Sequence, residues 1–172
     1  MCPVLGISAI WMSLFLLMVD SNLMAAEKSC IQLPASIERA LKKHAQEIRG
    51  AEYCEFRTIA KGDLNSNGAE DIVIAYNIEG ACYGERRSPG SCGNDHTTFL
   101  TAFLGQGSGF RQIHSIEVGG RGQRDIVSIR LTGGRIEADT LEYDPSDPQC
   151  CPSRKRRATF FLSAEELVEA GR

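Results

Sequence analysis

Apolar residues recur at helical spacing between Ile37 and Ile48. They stand three and four residues apart, so they fall on one face of a helix. Pro34 precedes this stretch and Gly50 follows it, and both residue types are common at the ends of helices. The pattern predicts an amphipathic helix whose apolar face packs against the rest of the protein.

After Tyr53 the apolar residues occur in short or alternating runs, separated by clusters of Gly, Asn, Asp and Pro. This pattern is typical of antiparallel sheet. Val127, Ile129 and Leu131 alternate with other residues, which predicts that these three side chains share one face of a strand. The predicted strands are 54–60, 71–77, 97–104, 110–118, 124–131, 135–143 and 157–162.

Three local signals refine this pattern. Gly133-Gly134 predicts a tight hairpin turn. The phase of the apolar residues changes near Asp139, which predicts a β-bulge there. Ser163 and Glu166 have the spacing of a capping box, so we expect a short C-terminal helix that reaches Gly171.

Length and composition favour one globular domain, since the chain has 172 residues of which 42% are hydrophobic. The formal net charge is -3 and the isoelectric point is near 5.7. Nucleic acids and anionic membranes select strongly basic surfaces, so neither is an expected partner. The partner class that stays open is another protein.

The N-terminal segment, residues 1–26, is predicted to be a secretory signal peptide. Residues 4–19 form an uncharged apolar run, and the small residues Ala25 and Ala26 follow it. The run is shorter than the ~20 residues of a spanning helix, which makes an uncleaved membrane anchor the lesser alternative. We therefore expect a periplasmic or secreted protein, residues 27–172, without stable membrane insertion after cleavage.

Six cysteines remain after this segment, and an oxidising compartment favours disulfides over zinc or free thiols. A disulfide between sequence neighbours is strained, so distant partners for the last two cysteines stay an alternative. The most local pairing joins Cys30 to Cys54, Cys82 to Cys92, and Cys150 to Cys151.

The stretch Asp63-Leu64-Asn65-Ser66-Asn67-Gly68-Ala69-Glu70-Asp71 has oxygen-bearing side chains at loop positions 1, 3, 5 and 9 and glycine at position 6. This spacing suits a calcium ion, and we expect the affinity of an extracellular module, on the order of 10⁻⁴ to 10⁻³ M. A turn closed by Asn and Asp side chains without metal is the alternative. The predicted ligands are the side chains of Asp63, Asn65, Asn67 and Asp71 and the carbonyl of Ala69.

Residues 56–110 combine this loop and the strand Ile72-Val73-Ile74 with the later motif Phe103-Leu104-Gly105-Gln106-Gly107-Ser108-Gly109-Phe110. They resemble one repeat of the FG-GAP or VCBS type, the calcium-loop blade of integrin-like β-propellers. An insertion at residues 79–96 separates the two motifs, and no second repeat follows, so a complete propeller cannot be built. The Cys-Cys-Pro segment at residues 150–152 looks like that of small exported bacterial proteins. These resemblances imply a class and no activity.

We therefore expect a mainly β (α+β) fold: one antiparallel, blade-like twisted sheet, an N-terminal amphipathic helix and a short C-terminal helix. No catalytic residue is predicted. Asp95 and His96 are neighbours, and neighbouring side chains on an extended chain point in opposite directions. The loop that contains them is expected to form a surface pinned by Cys82 and Cys92.

Two basic segments are further candidates for interaction. Arg121 and Arg124 lie in a glycine-rich stretch that is suited to an anion or, alternatively, only connects strands. Arg154, Lys155 and Arg156 belong to a basic run that is suited to a partner or, alternatively, guards an edge strand.

The leading functional hypothesis is a non-catalytic exported module that presents its inserted loop or its basic edge to an unknown protein. A periplasmic inhibitor or immunity protein for a secreted hydrolase is one alternative, because such proteins are also small, cross-linked and without catalytic residues. An unrecognised hydrolase is the other, and it predicts a pocket that collects His96 or His114 with acidic side chains.

Overall fold

A computed structural model describes residues 30–81, 95–148 and 150–171. The predicted signal segment, Cys82 and Cys92 lie outside the described residues. The predicted amphipathic stretch forms α1 (Ala35–Glu47), which buries Ile37, Leu41 and Ala45.

The rest of the described chain is built mainly of antiparallel strands, as predicted. A short 3-10 turn (Cys54–Phe56) follows the first strand. The strands are β1 (Ala51–Glu52), β2 (Thr58–Gly62), β3 (Asp71–Glu79), β4 (His96–Gln106), β5 (Gly109–Gln112), β6 (Ile116–Gly120), β7 (Arg124–Thr132), β8 (Arg135–Glu142), β9 (Arg154–Ser163) and β10 (Glu166–Glu169).

Sheet A, which contains β1 to β6, has β3 and β4 at its centre. These two strands pair along their length, from Ile72 opposite Phe103 to Glu79 opposite His96. β1 and β2 pair with successive parts of the other edge of β3, while β5 and β6 share the other edge of β4. Strands β2 to β5 therefore form a consecutive antiparallel meander.

Sheet B is a second antiparallel meander, in which β7, β8, β9 and β10 follow one another in order. The predicted hairpin turn at Gly133-Gly134 is confirmed: both glycines have positive φ, 56° and 73°, between the paired residues Thr132 and Arg135. Positive φ at both central positions is what a tight turn between twisted strands requires. The fold thus contains two sheets where we expected one.

Sheet A is covered on both faces, and this explains why the central residues of β3, from Ile72 to Tyr76, are all apolar. Ile72 and Ile74 face the core beneath α1, while Val73 and Ala75 face the core between the two sheets. Successive residues of a strand point to opposite faces, so a strand between two cores has no polar face. Sheet B contributes Ile129, Ile136, Ala138, Ala158, Phe160 and Leu167 to the core between the sheets.

The predicted C-terminal helix is wrong, because residues 163–169 form a hairpin. Ser163 pairs with Glu166 across a turn in which Ala164 and Glu165 have φ of 47° and 70°. Ser163 and Glu166, which have the spacing of a capping box, therefore flank a two-residue turn. The hairpin adds β10 to sheet B and buries Leu167, which is 4% exposed, in the core between the sheets.

The predicted bulge near Asp139 lies instead in the neighbouring strand. β8 alternates regularly, and Thr140 occupies the core-facing position that an apolar residue was expected to fill. The register shifts in β7 between Ile126 and Ser128, which leaves Val127 between them 54% exposed. The prediction that Val127 shares one face of the strand with Ile129 and Leu131 is therefore wrong, because Ile129 is buried.

Two predicted strands are broken by irregular segments. Residues 54–60 divide into the 3-10 turn and β2, and residues 110–118 divide into β5 and β6. Ile113 lies at the second break, where its N–H donates to the carbonyl of Ala102 over 2.7 Å and its side chain is buried between the sheets. The break lets successive parts of the chain pair with different parts of β4.

Candidate functional site

The loop at residues 63–71 is closed by its own backbone. One carboxylate oxygen of Asp63 accepts the N–H of Asn67 over 3.1 Å, and the other accepts the N–H of Gly68 over 2.8 Å. The side-chain carbonyl of Asn65 accepts the N–H of Asn67, and that of Asn67 accepts the N–H of Ala69. Each acceptor oxygen has a second lone pair, so these bonds are compatible with a bound cation and with a metal-free turn.

Asp71 differs from the other predicted ligands because it is fully buried at the base of the loop. Its carboxylate accepts the N–H of Leu64 and the N–H of Gly105, each over 2.8 Å. These bonds join the start of the loop to the end of β4. Asp71 therefore ties together the two motifs on which the FG-GAP resemblance rests.

A cleft opens where the space between the two sheets reaches the surface. On the inner face of β3, Val73 and Ala75 are followed by Asn77 and Glu79, so the apolar core gives way to polar side chains. The volume of the cleft is about 570 Å³. Its lining residues are Glu55, Phe56, Arg57, Thr58, Asn77, Glu79, His96, Thr98, Asp125, Ile126 and Val127. We call it the His96 cleft.

His96 forms an ion pair in this cleft with a residue of the other sheet. Its Nε2 lies 3.5 Å from a carboxylate oxygen of Asp125 in β7, and Glu79 lies directly opposite it on β3. The bond to Asp125 is the main reason that the pKa of His96 is raised, with Asp125, Asp95 and Glu79 adding attraction and partial burial opposing it. This pair joins strands of different sheets, so it exists only because the two sheets pack together.

Sequence reasoning missed Asp125 and Glu79. The pairing register of β3 and β4 places Glu79 beside His96. This register could not be predicted because a long insertion separates the two strands in the sequence. Asp125 reaches the cleft because sheet B packs on sheet A, and no local sequence signal reports such a contact.

A second histidine lies beneath α1. His44 Nδ1 and the hydroxyl of Tyr76 are 2.6 Å apart and hydrogen-bonded, and this hydroxyl lies 3.0 Å from the Oγ of Ser115. Burial lowers the pKa of His44 and raises the pKa of Tyr76. Because buried Tyr76 needs partners for its hydroxyl, this row of side chains stabilises the core beneath α1.

Arg124 is buried and fully engaged, so the predicted anion site with Arg121 is not supported by its geometry. Its guanidinium donates two hydrogen bonds to Glu169 in β10, over 2.6 and 2.8 Å, and its Nε donates to the carbonyl of Val118. It also stacks over the ring of Phe160. The hairpin that replaces the predicted C-terminal helix supplies Glu169, and the pair fastens β10 to β7.

Arg121 remains exposed at the surface, and its N–H donates to the carbonyl of His96 over 3.1 Å. The turn of residues 121–123 is therefore tied to the start of β4. This geometry fits the alternative in which the glycine-rich stretch connects two strands and binds no anion.

The basic run lies on an open part of the edge of sheet B. β10 pairs with residues 160–163 of β9, and the N–H of Ala170 donates to the carbonyl of Thr159 over 2.8 Å. In the described part of the chain, no strand pairs with the same edge of residues 154–158. β9 lies between β8 and β10 in sheet B, so the basic run occupies an open part of a strand that is otherwise internal.

The backbone groups on this open edge follow from the position of Thr159. Its carbonyl points toward β10, and alternate residues of a strand point their N–H and C=O groups to the same side. The backbone groups of Lys155 and Arg157 therefore face the open edge. The side chains of Arg154 and Arg156 lie on the inner face, and those of Lys155 and Arg157 lie on the outer face.

Acidic side chains of β8 compensate this basic charge only in part. Glu142 lies 3.1 Å from Arg154 and 3.9 Å from Arg156, so two guanidinium groups share one carboxylate. Asp139 is shared in the same way by Arg130, at 2.8 Å, and Arg157, at 3.4 Å. These basic groups hold the pKa of exposed Asp139 near 2, with its bond to Arg130 as the largest cause.

Two disulfides belong to the described residues, Cys30–Cys54 and Cys150–Cys151. Cys30–Cys54 ties the segment before α1 to the 3-10 turn, as predicted. Among the described residues, the only metal-ligating side chains of His, Cys, Asp and Glu grouped within 4.8 Å of one another are Cys30, Cys54 and Glu55. The disulfide occupies both sulfurs, so this group does not supply thiolate ligands.

Comparison with known proteins adds no family: no family model, curated protein or solved structure matches the chain. In the described part of the chain, no helix has the length and apolar character needed to cross a membrane. The function is therefore inferred from the sites of the protein itself.

Proposed function

We propose that this protein is an exported, non-catalytic β module that binds an acidic, extended segment of another protein along the open edge of β9. The observation that carries the proposal is that no strand among the described residues pairs with this edge of residues 154–158, whereas β10 covers the other half of β9. The Cys30–Cys54 disulfide supports the oxidising compartment in which such a module would work.

An extended partner suits this edge because Lys155 and Arg157 present main-chain donors and acceptors to it. A strand added there would continue sheet B by the same hydrogen bonds that hold β10. Its side chains would meet basic groups on both faces of the sheet, since Arg154 and Arg156 lie on one face and Lys155 and Arg157 on the other. A run of consecutive acidic residues, whose side chains point alternately to the two faces, is therefore the expected chemistry of the partner.

A proline substitution separates strand addition from simple charge attraction. The N–H of Lys155 points to the open edge, so Lys155→Pro removes a donor that pairs with no described strand. We expect Lys155→Pro to abolish binding of an acidic extended peptide, Lys155→Ala to weaken it, and raised salt to weaken it further. The exposed residue Lys43 of α1 provides the matched control, Lys43→Ala, which leaves binding unchanged.

The natural partner can be captured with a photo-cross-linking residue at position 155, compared with the same residue at position 43. A protein joined at position 155 alone supports the proposal. Equal cross-linking at both positions, or full peptide binding by Lys155→Pro, contradicts it. If the captured protein is a secreted hydrolase that loses activity on binding, the inhibitor or immunity function replaces the generic module.

We also propose that the loop at residues 63–71 binds calcium weakly and structurally. Asp63, Asn65 and Asn67 place their side-chain oxygens in one exposed turn, and the Ala69 carbonyl and buried Asp71 complete the predicted set. Asp71 would act mainly as the base of the loop, because two N–H groups already occupy its carboxylate. The ion would stabilise the connection between β2 and β3.

Calcium at ten times its dissociation constant should stabilise the oxidised protein by about 1.4 kcal/mol, which is a melting shift of about 3–5 °C. Asp63→Asn keeps a hydrogen-bond acceptor and removes a charge, so we expect it to abolish this response. Magnesium is the control ion. Identical melting with calcium and with chelator, or an equal calcium response in Asp63→Asn, would establish the metal-free turn.

The His96 cleft favours the hydrolase alternative as a second candidate function. An imidazole held by a carboxylate is the arrangement of a general base, and here the pair lies in an open cleft beside Glu79. A panel of ester, phosphoester, glycoside and peptide substrates tests it. Activity that is lost in both His96→Asn and Asp125→Asn supports a hydrolase, and activity that survives in either variant excludes this site as its source.

A further inference from the structure

The loop between β8 and β9 carries a disulfide between sequence neighbours at the surface. Cys150 and Cys151 are both exposed, and their Cα atoms are 3.8 Å apart. Disulfides usually join Cα atoms that are about 4.4–6.8 Å apart. Cys30–Cys54, at 5.4 Å, lies within that range, so the protein contains one ordinary and one closely constrained disulfide.

Stability does not explain the Cys150–Cys151 bond. A disulfide stabilises a fold mainly by restricting the unfolded chain, and the effect grows with the length of the closed loop. Cys30–Cys54 closes a sequence separation of 24 residues, whereas Cys150–Cys151 closes a separation of 1. The bond between neighbours therefore restricts almost nothing beyond its own peptide unit.

The loop has another set of bonds that holds its shape. One carboxylate oxygen of Asp147 accepts the N–H of Asp144 over 2.8 Å and the N–H of Ser153 over 2.9 Å. Its other oxygen accepts the hydroxyl of Ser153 over 2.8 Å. Pro152 is buried, and the N–H of Cys151 donates to the carbonyl of Pro148 over 3.0 Å. This frame does not pass through the sulfur atoms, so breaking the disulfide leaves the loop anchored at both ends.

We propose that Cys150–Cys151 is a thiol–disulfide exchange site that accepts two electrons from a dithiol, while Cys30–Cys54 is a structural disulfide. Exposed or constrained disulfides are the ones that thiolates attack most readily. The surrounding frame allows the bond to open without loss of the fold. This proposal is independent of the binding edge on β9.

The exchange with a dithiol proceeds in two steps. A thiolate of the dithiol attacks one sulfur of the pair, the Cys150–Cys151 bond breaks, and the other cysteine leaves as a thiolate that takes up a proton. The second thiol of the reductant then attacks the mixed disulfide and releases the first cysteine as a thiol. The reductant ends as a disulfide, and the protein has gained two electrons and two protons; the reverse reaction restores the bond.

A redox titration of the oxidised full chain tests the proposal. The protein is equilibrated in buffers of increasing reduced-to-oxidised dithiothreitol ratio, free thiols are alkylated, and the peptides that contain each cysteine are quantified by mass spectrometry. We expect half-reduction of Cys150–Cys151 at a ratio at least tenfold lower than that for Cys30–Cys54. The circular dichroism spectrum should stay unchanged while only the former is reduced.

Two variants complete the test. Cys30→Ser/Cys54→Ser should leave the midpoint of Cys150–Cys151 unchanged. In Cys151→Ser, the Cys150 thiolate should attack oxidised glutathione, release one glutathione as a thiol and keep the other as a stable mixed disulfide, because no neighbouring thiol is left to displace it. The proposal is overturned if both disulfides reduce at the same ratio or if Cys30–Cys54 reduces first. It is also overturned if peptide mapping of the oxidised chain finds Cys150 and Cys151 bonded to other cysteines.

Discussion

Sheets A and B differ in the number of faces that the protein covers. Sheet A lies between α1 and sheet B, so both faces of β3 are buried. Sheet B covers sheet A with one face and turns the other, with Arg130, Asp139 and Arg157, to the solvent. The polar groups inside sheet A therefore need internal partners, while those of sheet B are available to other molecules.

This difference places the candidate interaction surfaces at the margins of sheet B. The open edge of β9 and the loop that carries Cys150–Cys151 belong to sheet B alone. The His96 cleft lies where sheet B meets sheet A. The loop at residues 63–71, by contrast, is fastened into sheet A through buried Asp71.

The largest expected effect comes from removing an aromatic ring from each sheet. Phe103 is 2% exposed beneath α1, and Phe161 is 36% exposed on the outer face of sheet B. We expect Phe103→Ala to lower the free energy of unfolding by about 3–5 kcal/mol, because it leaves a cavity in the core. Phe161→Ala should lower it by less than about 1 kcal/mol. Denaturant unfolding of the oxidised protein measures both, and equal losses would contradict the comparison.

The next largest change in the free energy of unfolding is expected from replacing a buried arginine, compared with an exposed one. The side chain of Arg57 is 5% exposed and bonds Glu52 over 2.6 Å and Glu38 over 2.8 Å. Arg57→Ala leaves the carboxylate of Glu52 buried without its partner, so we expect a loss of about 3 kcal/mol. Arg130→Ala, on the solvent face of sheet B, should leave the free energy of unfolding nearly unchanged. A large loss in Arg130→Ala would show that the outer face of sheet B is more than a solvated surface.

Replacing either of two buried threonines by valine should change the free energy of unfolding, in opposite directions. The hydroxyl of Thr101 in sheet A donates to the carbonyl of Ile113 over 2.9 Å. The hydroxyl of Thr140 in sheet B is buried and has no hydrogen-bond partner among the described residues. We expect Thr101→Val to lower the free energy of unfolding by about 1 kcal/mol and Thr140→Val to raise it by up to about 1 kcal/mol. Chemical denaturation measures both changes in the free energy of unfolding. A loss of stability in Thr140→Val would contradict a Thr140 hydroxyl that is buried without a partner among the described residues.

The smallest expected effect is a pair of opposite histidine titrations. The pKa of His96 is raised by Asp125, so its contribution to stability is complete below about pH 6.5 and is lost as the pH rises through the folded-state pKa. The pKa of His44 is lowered by burial, so its contribution is present above about pH 6.5 and is lost as the pH falls through the folded-state pKa. NMR titration should resolve both shifts.

Asp125→Asn provides the control for this titration. It removes the carboxylate that bonds His96, so the pKa of His96 should fall toward its usual value while that of His44 stays in place. An unchanged pKa of His96 in this variant would contradict the proposed pair across the two sheets.

Local sequence patterns predicted the elements whose signals lie within a few residues. The helix from Ala35 to Glu47 follows from its apolar spacing, and the hairpin at Gly133-Gly134 follows from two residues that tolerate positive φ. The ordinary disulfide Cys30–Cys54 follows from pairing of the nearest cysteines. Each of these features depends on contacts or conformations that the local sequence specifies.

The incorrect predictions concern features that depend on packing against distant parts of the chain. Ser163 and Glu166 fit a capping box, yet the free edge of β9 and the core position for Leu167 select a hairpin. Val127 alternates in phase with Ile129 and Leu131, yet the bulge in β7 leaves it exposed. Packing against distant strands decides these cases, because it outweighs the small preference of a short segment.

The sequence by itself determined an antiparallel β fold with an amphipathic helix, because side-chain periodicity and turn residues act locally. It also supplied the chemistry of the loop at residues 63–71 and the basic run in β9. Only the tertiary structure decided which groups meet. Asp125 reaches His96 because the two sheets pack together, and Glu169 binds Arg124 because the C-terminal segment forms a hairpin. Within the described residues, the edge of residues 154–158 stays open because β10 pairs only with residues 160–163. These contacts join residues far apart in sequence, and local periodicity carries no information about them.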